Sequence, residues 1–218
     1  MTVFNNNKVD HSKEFMFFGE PLNVARYDKM KYKKFDDFTE QQLGFFWRPE
    51  KTPLDRDIHD FKNKMTDKER RIFVLNLQYQ TLLDSVQGRS PIEILGPICL
   101  LPELENWLVW WSASEVIHSK SYTYIIKNVF DNPSIVFDEI MDNPEIIKRA
   151  AMVTQYYDTL EERILVGKFH NWPEDQLRKA KEALFDCMLS IYCLESVRFY
   201  VSFACSYSFV ERRLMEGN

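Results

Sequence analysis

The sequence predicts an all-α fold, a bundle of long helices joined by short turns, on three observations. Only six glycines and nine prolines occur in 218 residues, and helix-favouring residues run through the whole chain. Helix-start signals recur along it, and the stretches between them are mostly roughly 20 residues or longer, the length a bundle requires. No stretch alternates apolar and polar residues at the period of a strand, and no internal repeat or linker divides the chain. A single domain over residues 1–218 is therefore expected. With 45% hydrophobic and 15% aromatic residues, it can bury a substantial core.

The elements follow in order. A first helix over about 29–46 leads into "FFWRPE", where Pro49 stops it. "TDKERRIFVLNLQYQTLLDSVQG", 66–88, opens with Thr66 and Glu69 at capping-box spacing and meets Gly88 as its stop. The next begins at Pro102, places Glu103 and Glu105 near the positive end of its dipole, and continues to about Asn128. Asn132-Pro133 and Asn143-Pro144-Glu145 each read as a cap and a first-turn proline, giving a short helix and then one ending near Gly167. Pro173-Glu174-Asp175 starts the last, which reaches roughly to residue 210.

Composition excludes several classes of function. The net charge is −5 and no basic block alternates with aromatics, so no nucleic-acid partner is expected. "MTVFNNNKVDHSKEF" contains no apolar h-region, which predicts a cytoplasmic protein. Cys99, Cys187, Cys193 and Cys205 form no C-x-x-C pair and sit in apolar surroundings, so buried reduced thiols are expected. The window 189–210 is apolar and long enough to span a bilayer, but it carries Glu195 and Arg198. Charges at bilayer depth are costly, so a buried helix of a soluble bundle, with no membrane partner, is the expectation.

The chemistry concentrates in "ASEVIHSKSYTYI", 113–125. At about 100° per residue, His118 falls about 60° from Glu115 and Tyr122 about 20° from it, so the three share one stripe. Glu-x-x-His on a helix is the arrangement by which carboxylate-bridged dimetal bundles supply a carboxylate and an imidazole, a donor set suited to iron or manganese. The same tetrapeptide also arises by chance in many helices. Asp84 and Glu195, on two other apolar helices, add carboxylates that are costly to bury unpaired. A shared cation and separate salt bridges both remain open on these residues alone. Tyr122 reads either as a packed core tyrosine or as a phenol that a nearby oxidising metal pair converts to a protected radical.

Longer stretches carry a resemblance. "FMFFGEPLNVARYD" (15–28), "QLGFFWRPE" (42–50), "LQYQTLLDSVQGRSP" (77–91), "SEVIHSKSYTYIIKN" (114–128) and "CLESVRFYVSFACS" (193–206) together resemble the radical-generating small subunit of aerobic class I ribonucleotide reductase, of the bacterial and phage tyrosyl-radical type. The segment around 155–185 is less similar. The resemblance implies a ferritin-like helical bundle, usually a homodimer. It makes Asp84, Glu115, His118 and Glu195 metal ligands of a di-iron pair, oxo-bridged when complete, with manganese as the other metal. It further makes Tyr122 the radical tyrosine, Trp47 an electron relay, and Phe199 and Phe203 the apolar pocket around the radical. The implied partner is a separate large subunit that reduces ribonucleotides to deoxyribonucleotides.

Two features depart from that pattern. Lys120 stands where the family usually has arginine, which keeps the charge. The family's further Glu-x-x-His belongs to a helix that would follow "MEGN" (215–218), so the bundle is expected to be incomplete at its C-terminal end, inactive in isolation and completed by a second polypeptide. The competing readings are a non-catalytic ferritin-like assembly or interaction subunit without a stable metal pair, and a desaturase- or oxygenase-like di-iron oxidase. The oxidase reading fits least well, because such enzymes usually carry glutamate where this chain has Asp84 and lack the Tyr122 and "FFWRPE" pattern.

Overall fold

A computed structural model describes residues 5–217. Its helices are α1 (Lys33–Gly44), α2 (Asp55–Asn63), α3 (Asp67–Gln87), α4 (Pro102–Val129), α5 (Pro133–Asp142), α6 (Pro144–Phe169), α7 (Glu174–Cys193) and α8 (Phe199–Val210). Five-residue π-helical segments occur at Pro91–Leu95 and Leu194–Arg198. Among the described residues there is no strand, only an isolated bridge between Phe17 and Cys99 that lays the N-terminal segment across the start of α4.

Local chemistry explains most boundaries. Thr66 and Glu69 form the reciprocal capping box that starts α3, satisfying two N–H groups the first turn leaves free. The Asn143 side chain accepts from the N–H groups of Glu145 and Ile146 and so caps α6. Asn132 precedes α5 but makes no such bond, so Pro133 alone marks that start. Gly88 does end α3, yet with a right-handed φ of −65° it carries the chain onward into the π segment at Pro91 instead of reversing it. The first helix is shorter than expected, with a separate turn at Tyr27–Lys29 before it and an end at Gly44, well ahead of Pro49. Helix α2 was not expected from its polar sequence; Asp55 and Asp57 in its first turn were the available signal.

Helices α3 and α4 pack together at the centre, with α1 against α4, α6 between α3 and α7, and α5 and α8 against α3. The buried residues of α6, Ile146, Ala150, Val153, Tyr157, Leu160 and Ile164, step by four and three, a continuous inward seam. In α7 the seam is Ala180, Ala183, Cys187 and Ile191, it continues at Leu194 in the π segment, and it resumes in α8 at Phe199, Ser202, Ser206 and Phe209. The step from Leu194 to Phe199 is five residues, and the π turn absorbs the extra one so that the same face stays inward. At the α6–α7 corner Asn171 and Trp172 adopt left-handed φ values of 55° and 54°, folding the Trp172 ring over Gly167, where a Cβ would lie 2.2 Å from the ring.

The core divides into two clusters. One gathers Leu83, Leu104, Leu108, Tyr157, Leu160, Leu194 and Phe199, and the other Phe73, Leu77, Ile125, Ile126, Val129 and Phe209. Two expectations need correction here. The helix spanning Glu174–Val210 is long and apolar enough to cross a membrane, but only 28% of its most apolar window is buried, because Tyr192, Val197, Tyr200, Val201 and Tyr207 face outward. A two-sided apolar helix has one side in the core and leaves the other bare. All four cysteines are free, yet Cys193 is exposed and Cys205 half-buried, since both fall off the inward seam.

Candidate metal centre

The site lies where α3, α4 and the π segment before α8 meet. On α4, Trp111, Glu115, His118 and Tyr122 follow one another at intervals of four, three and four, so one stripe of the helix faces α3. The facing stripe on α3 is Gln80, Asp84 and Gln87, all buried. Asp84, Glu115 and His118 each place a ligand atom within 4.8 Å of the others, a group able to hold a metal ion.

Each side chain is held differently. Glu115 accepts from the Trp111 indole N–H at 2.9 Å through Oε1 and lies 2.9 Å from His118 Nδ1 through Oε2. Asp84 Oδ2 is 3.9 Å from that same nitrogen, an ion-pair distance without a hydrogen bond. Desolvation, with the neighbouring Glu115 charge, pushes the Asp84 carboxyl up to about 8. The Tyr122 hydroxyl donates to this carboxylate without offsetting its desolvation, and a buried carboxylate reluctant to ionise is what a divalent cation would relieve. For His118 burial acts downward, but the hydrogen bond and charge of Glu115 outweigh it and the imidazole titrates above its usual range. The two carboxylates and the imidazole are oxygen and nitrogen donors, the set preferred by iron and manganese, so the residues present fit such an ion.

Glu195 stands outside this group. Only partly buried, it receives the Gln87 amide N–H on Oε1 at 2.8 Å, while the Gln87 carbonyl accepts from the Tyr157 hydroxyl at 2.9 Å. Desolvation, followed by the charge of Glu115, pushes its carboxyl to about 7. Gln87 and Tyr157 escaped the sequence reading, although Gln87 lies one turn from Asp84 on the same face and could have been found by continuing that stripe.

Tyr122 packs against the second core cluster and lines a cavity of about 270 Å³ together with His118, Trp47 and Phe203. Burial and the adjacent Asp84 carboxylate raise its phenol well beyond the ordinary range, so it stays protonated at any physiological pH. Phe199 does not reach that cavity; it stacks on Phe203 at 6.1 Å and belongs to the first core cluster. Trp47, in the loop after α1, lies over the His118 imidazole with ring centroids 5.3 Å apart and planes 29° from parallel. Its position is partly open to solvent.

Two carboxylates and an imidazole gathered between long helices, with a protonated tyrosine one turn beyond, define a helical bundle protein of the carboxylate–histidine class. Residues 25–218 match the family described as "Ribonucleotide reductase, small chain". The chain is 50% identical to the ribonucleoside-diphosphate reductase subunit beta of Haemophilus influenzae, over all of this chain and 60% of that protein. It is 41% identical to the corresponding subunit of Enterobacteria phage T4, again over 100% of this chain and 60% of the relative. Among solved structures, the ribonucleotide reductase R2 subunit from Clostridium botulinum superposes with a TM-score of 0.82 at 26% identity, covering 100% of this chain and 63% of that one. The chain thus belongs to the ribonucleotide reductase small-chain family and has its ferritin-like helical fold. It spans about 60% of the length of the curated relatives it matches.

Proposed function

We propose that this chain forms part of the small subunit of a class I ribonucleotide reductase and contributes to a dimetal, tyrosyl-radical site used by a large subunit to reduce ribonucleotides to deoxyribonucleotides. The observation that carries the reading is the convergence of Asp84, Glu115 and His118 within 4.8 Å, one turn from a half-buried, protonated Tyr122. Asp84, Glu115 and His118 would hold one ion, and Glu195 would contribute to a second. Iron is the first choice and manganese the alternative on this donor set. When bound, a redox-active pair supplies the one-electron oxidation of the Tyr122 phenol.

The residues of the chain do the rest. Tyr122 holds its proton until oxidised, with Asp84 the nearby carboxylate placed to exchange it. Phe203, backed by Phe199, keeps one wall of the radical's surroundings apolar. Trp47 has no lone pair to offer a metal, so its stacking on His118 suits an electron relay rather than a ligand. A further Glu-x-x-His, carried by a segment outside residues 1–218, would complete the pair. The outward apolar side of the Glu174–Val210 helix offers it a packing surface. Glu195 and Arg198 midway along that helix favour protein over lipid as the covering, consistent with a soluble cytoplasmic subunit that pairs with a second copy.

The test is an anaerobic iron(II) titration followed by oxygen and electron paramagnetic resonance. Residues 1–218 alone should hold one ion firmly, lose it in Glu115→Ala, and form no tyrosyl radical until the further Glu-x-x-His is supplied. A wild-type chain that binds no iron, or binds it equally well without Glu115, would leave the non-catalytic assembly subunit as the better reading.

A further inference from the structure

Glu195 is tied to a buried amide whose orientation is itself fixed, and that arrangement has consequences for metal loading. A glutamine side chain can face a carboxylate with its N–H₂ or, flipped, with its carbonyl. Tyr157 removes the choice. Its hydroxyl donates to Gln87 Oε1 at 2.9 Å, so Nε2 must turn toward Glu195, which it meets at 2.8 Å. Gln87 is wholly buried and Tyr157 nearly so, so water does not compete for the bond between them, while the bond on to Glu195 is part-buried. The far end of the chain of bonds, Glu195, lies outside the 4.8 Å group of Asp84, Glu115 and His118 and on a π-helical turn, where the backbone is wider than in an α-helix.

We infer that Tyr157 and Gln87 act as a positioning pair that holds Glu195 away from the Asp84–Glu115–His118 cluster, so that a second ion must break the Gln87–Glu195 hydrogen bond to recruit the carboxylate. The inference rests on the reading of the cluster as a metal site. It makes the order of loading a property of this chain: the first ion uses donors already gathered, and the second has a tether to release. Glu195 is the element that moves, and Gln87 never touches the metal.

Manganese(II) binding, followed through the signal of the free ion, tests this without reference to activity. Gln87→Leu keeps the bulk and removes the tether, so the weaker, second manganese should bind about tenfold more tightly, the equivalent of one hydrogen bond to a charged group, while the first is unchanged. Tyr157→Phe frees the amide to flip and should shift the same phase in the same direction, by less. In the Glu195→Ala background, Gln87→Leu should have no further effect. A variant damaged only in packing would loosen binding, so the sign separates the roles. Unchanged or weaker second-phase binding in Gln87→Leu, or no second phase in either protein, overturns the inference while leaving the cluster intact. Failure of the wild-type chain to bind even a first manganese, with no dependence on Asp84, would instead remove the metal reading beneath it.

Discussion

Asp84→Asn in the metal-free chain isolates the energetic cost of the site. The carboxyl titrates near 8 in the folded protein against an ordinary 3.8, because burial and the Glu115 charge disfavour its ionised form. Between those values the unfolded chain releases this proton and the folded chain keeps it, so stability falls as pH rises through the interval and levels off above it. From 3.8 to neutral pH is about three pH units; at about 1.4 kcal/mol per unit the penalty at pH 7 is on the order of 4 kcal/mol. Asparagine carries the same shape and no proton to lose. Any cost of burying its amide is the same at every pH, so the informative quantity is the slope. Urea midpoints measured with a chelator present from pH 5 to 8 should fall steeply in the wild type. In Asp84→Asn the fall should be clearly shallower, with Glu195 and His118 supplying the remainder. Parallel curves for the two proteins would refute the assignment of the penalty to Asp84.

Three further outcomes are expected. Tyr122→Phe in the completed complex should abolish the tyrosyl radical signal and leave metal content near that of the wild type; a full radical spectrum in the variant would end the proposed role of Tyr122. Trp47→Phe should leave metal bound but lower radical yield and nucleotide reduction, and normal values for both would return Trp47 to an ordinary stacking aromatic. Gly167→Ala drives a methyl group into the Trp172 ring, so thermal unfolding should show a loss of about 1–3 kcal/mol, the range for overpacking; a wild-type midpoint would mean the α6–α7 corner relaxes freely.

The long helices were legible because their signals are local. Thr66 with Glu69, Pro102, and Asn143 with Pro144 are read within one turn, and α3, α4 and α6 start there. The stripe of Glu115, His118 and Tyr122 was equally legible, since helical phase alone aligns it. What escaped depends on separation in sequence. The partner of Glu195 is Gln87, 108 residues earlier, and that of Trp47 is His118, and no periodicity connects them. Helix α2 escaped for another reason: its apolar seam within the helix is only Ile58 and Phe61, and its fully buried side chains are the carboxylates Asp57 and Asp60, held by the Gly217 N–H and by Lys64.

The five-residue step from Leu194 to Phe199 has a meaning for how this helix tolerates insertion and deletion. Removing one residue between them would convert the step to four, the spacing of a regular α-helix, and would leave every core residue of α7 and α8 in frame. The surplus residue therefore contributes nothing to the packing register. Its effect is confined to Glu195 and its immediate neighbours, which a regular helix would rotate relative to α3 and α4. A one-residue deletion at Ser196 or Val197 is accordingly an edit that should spare the fold and disable the carboxylate, separating by a single codon the part of the sequence that builds the bundle from the part that equips it.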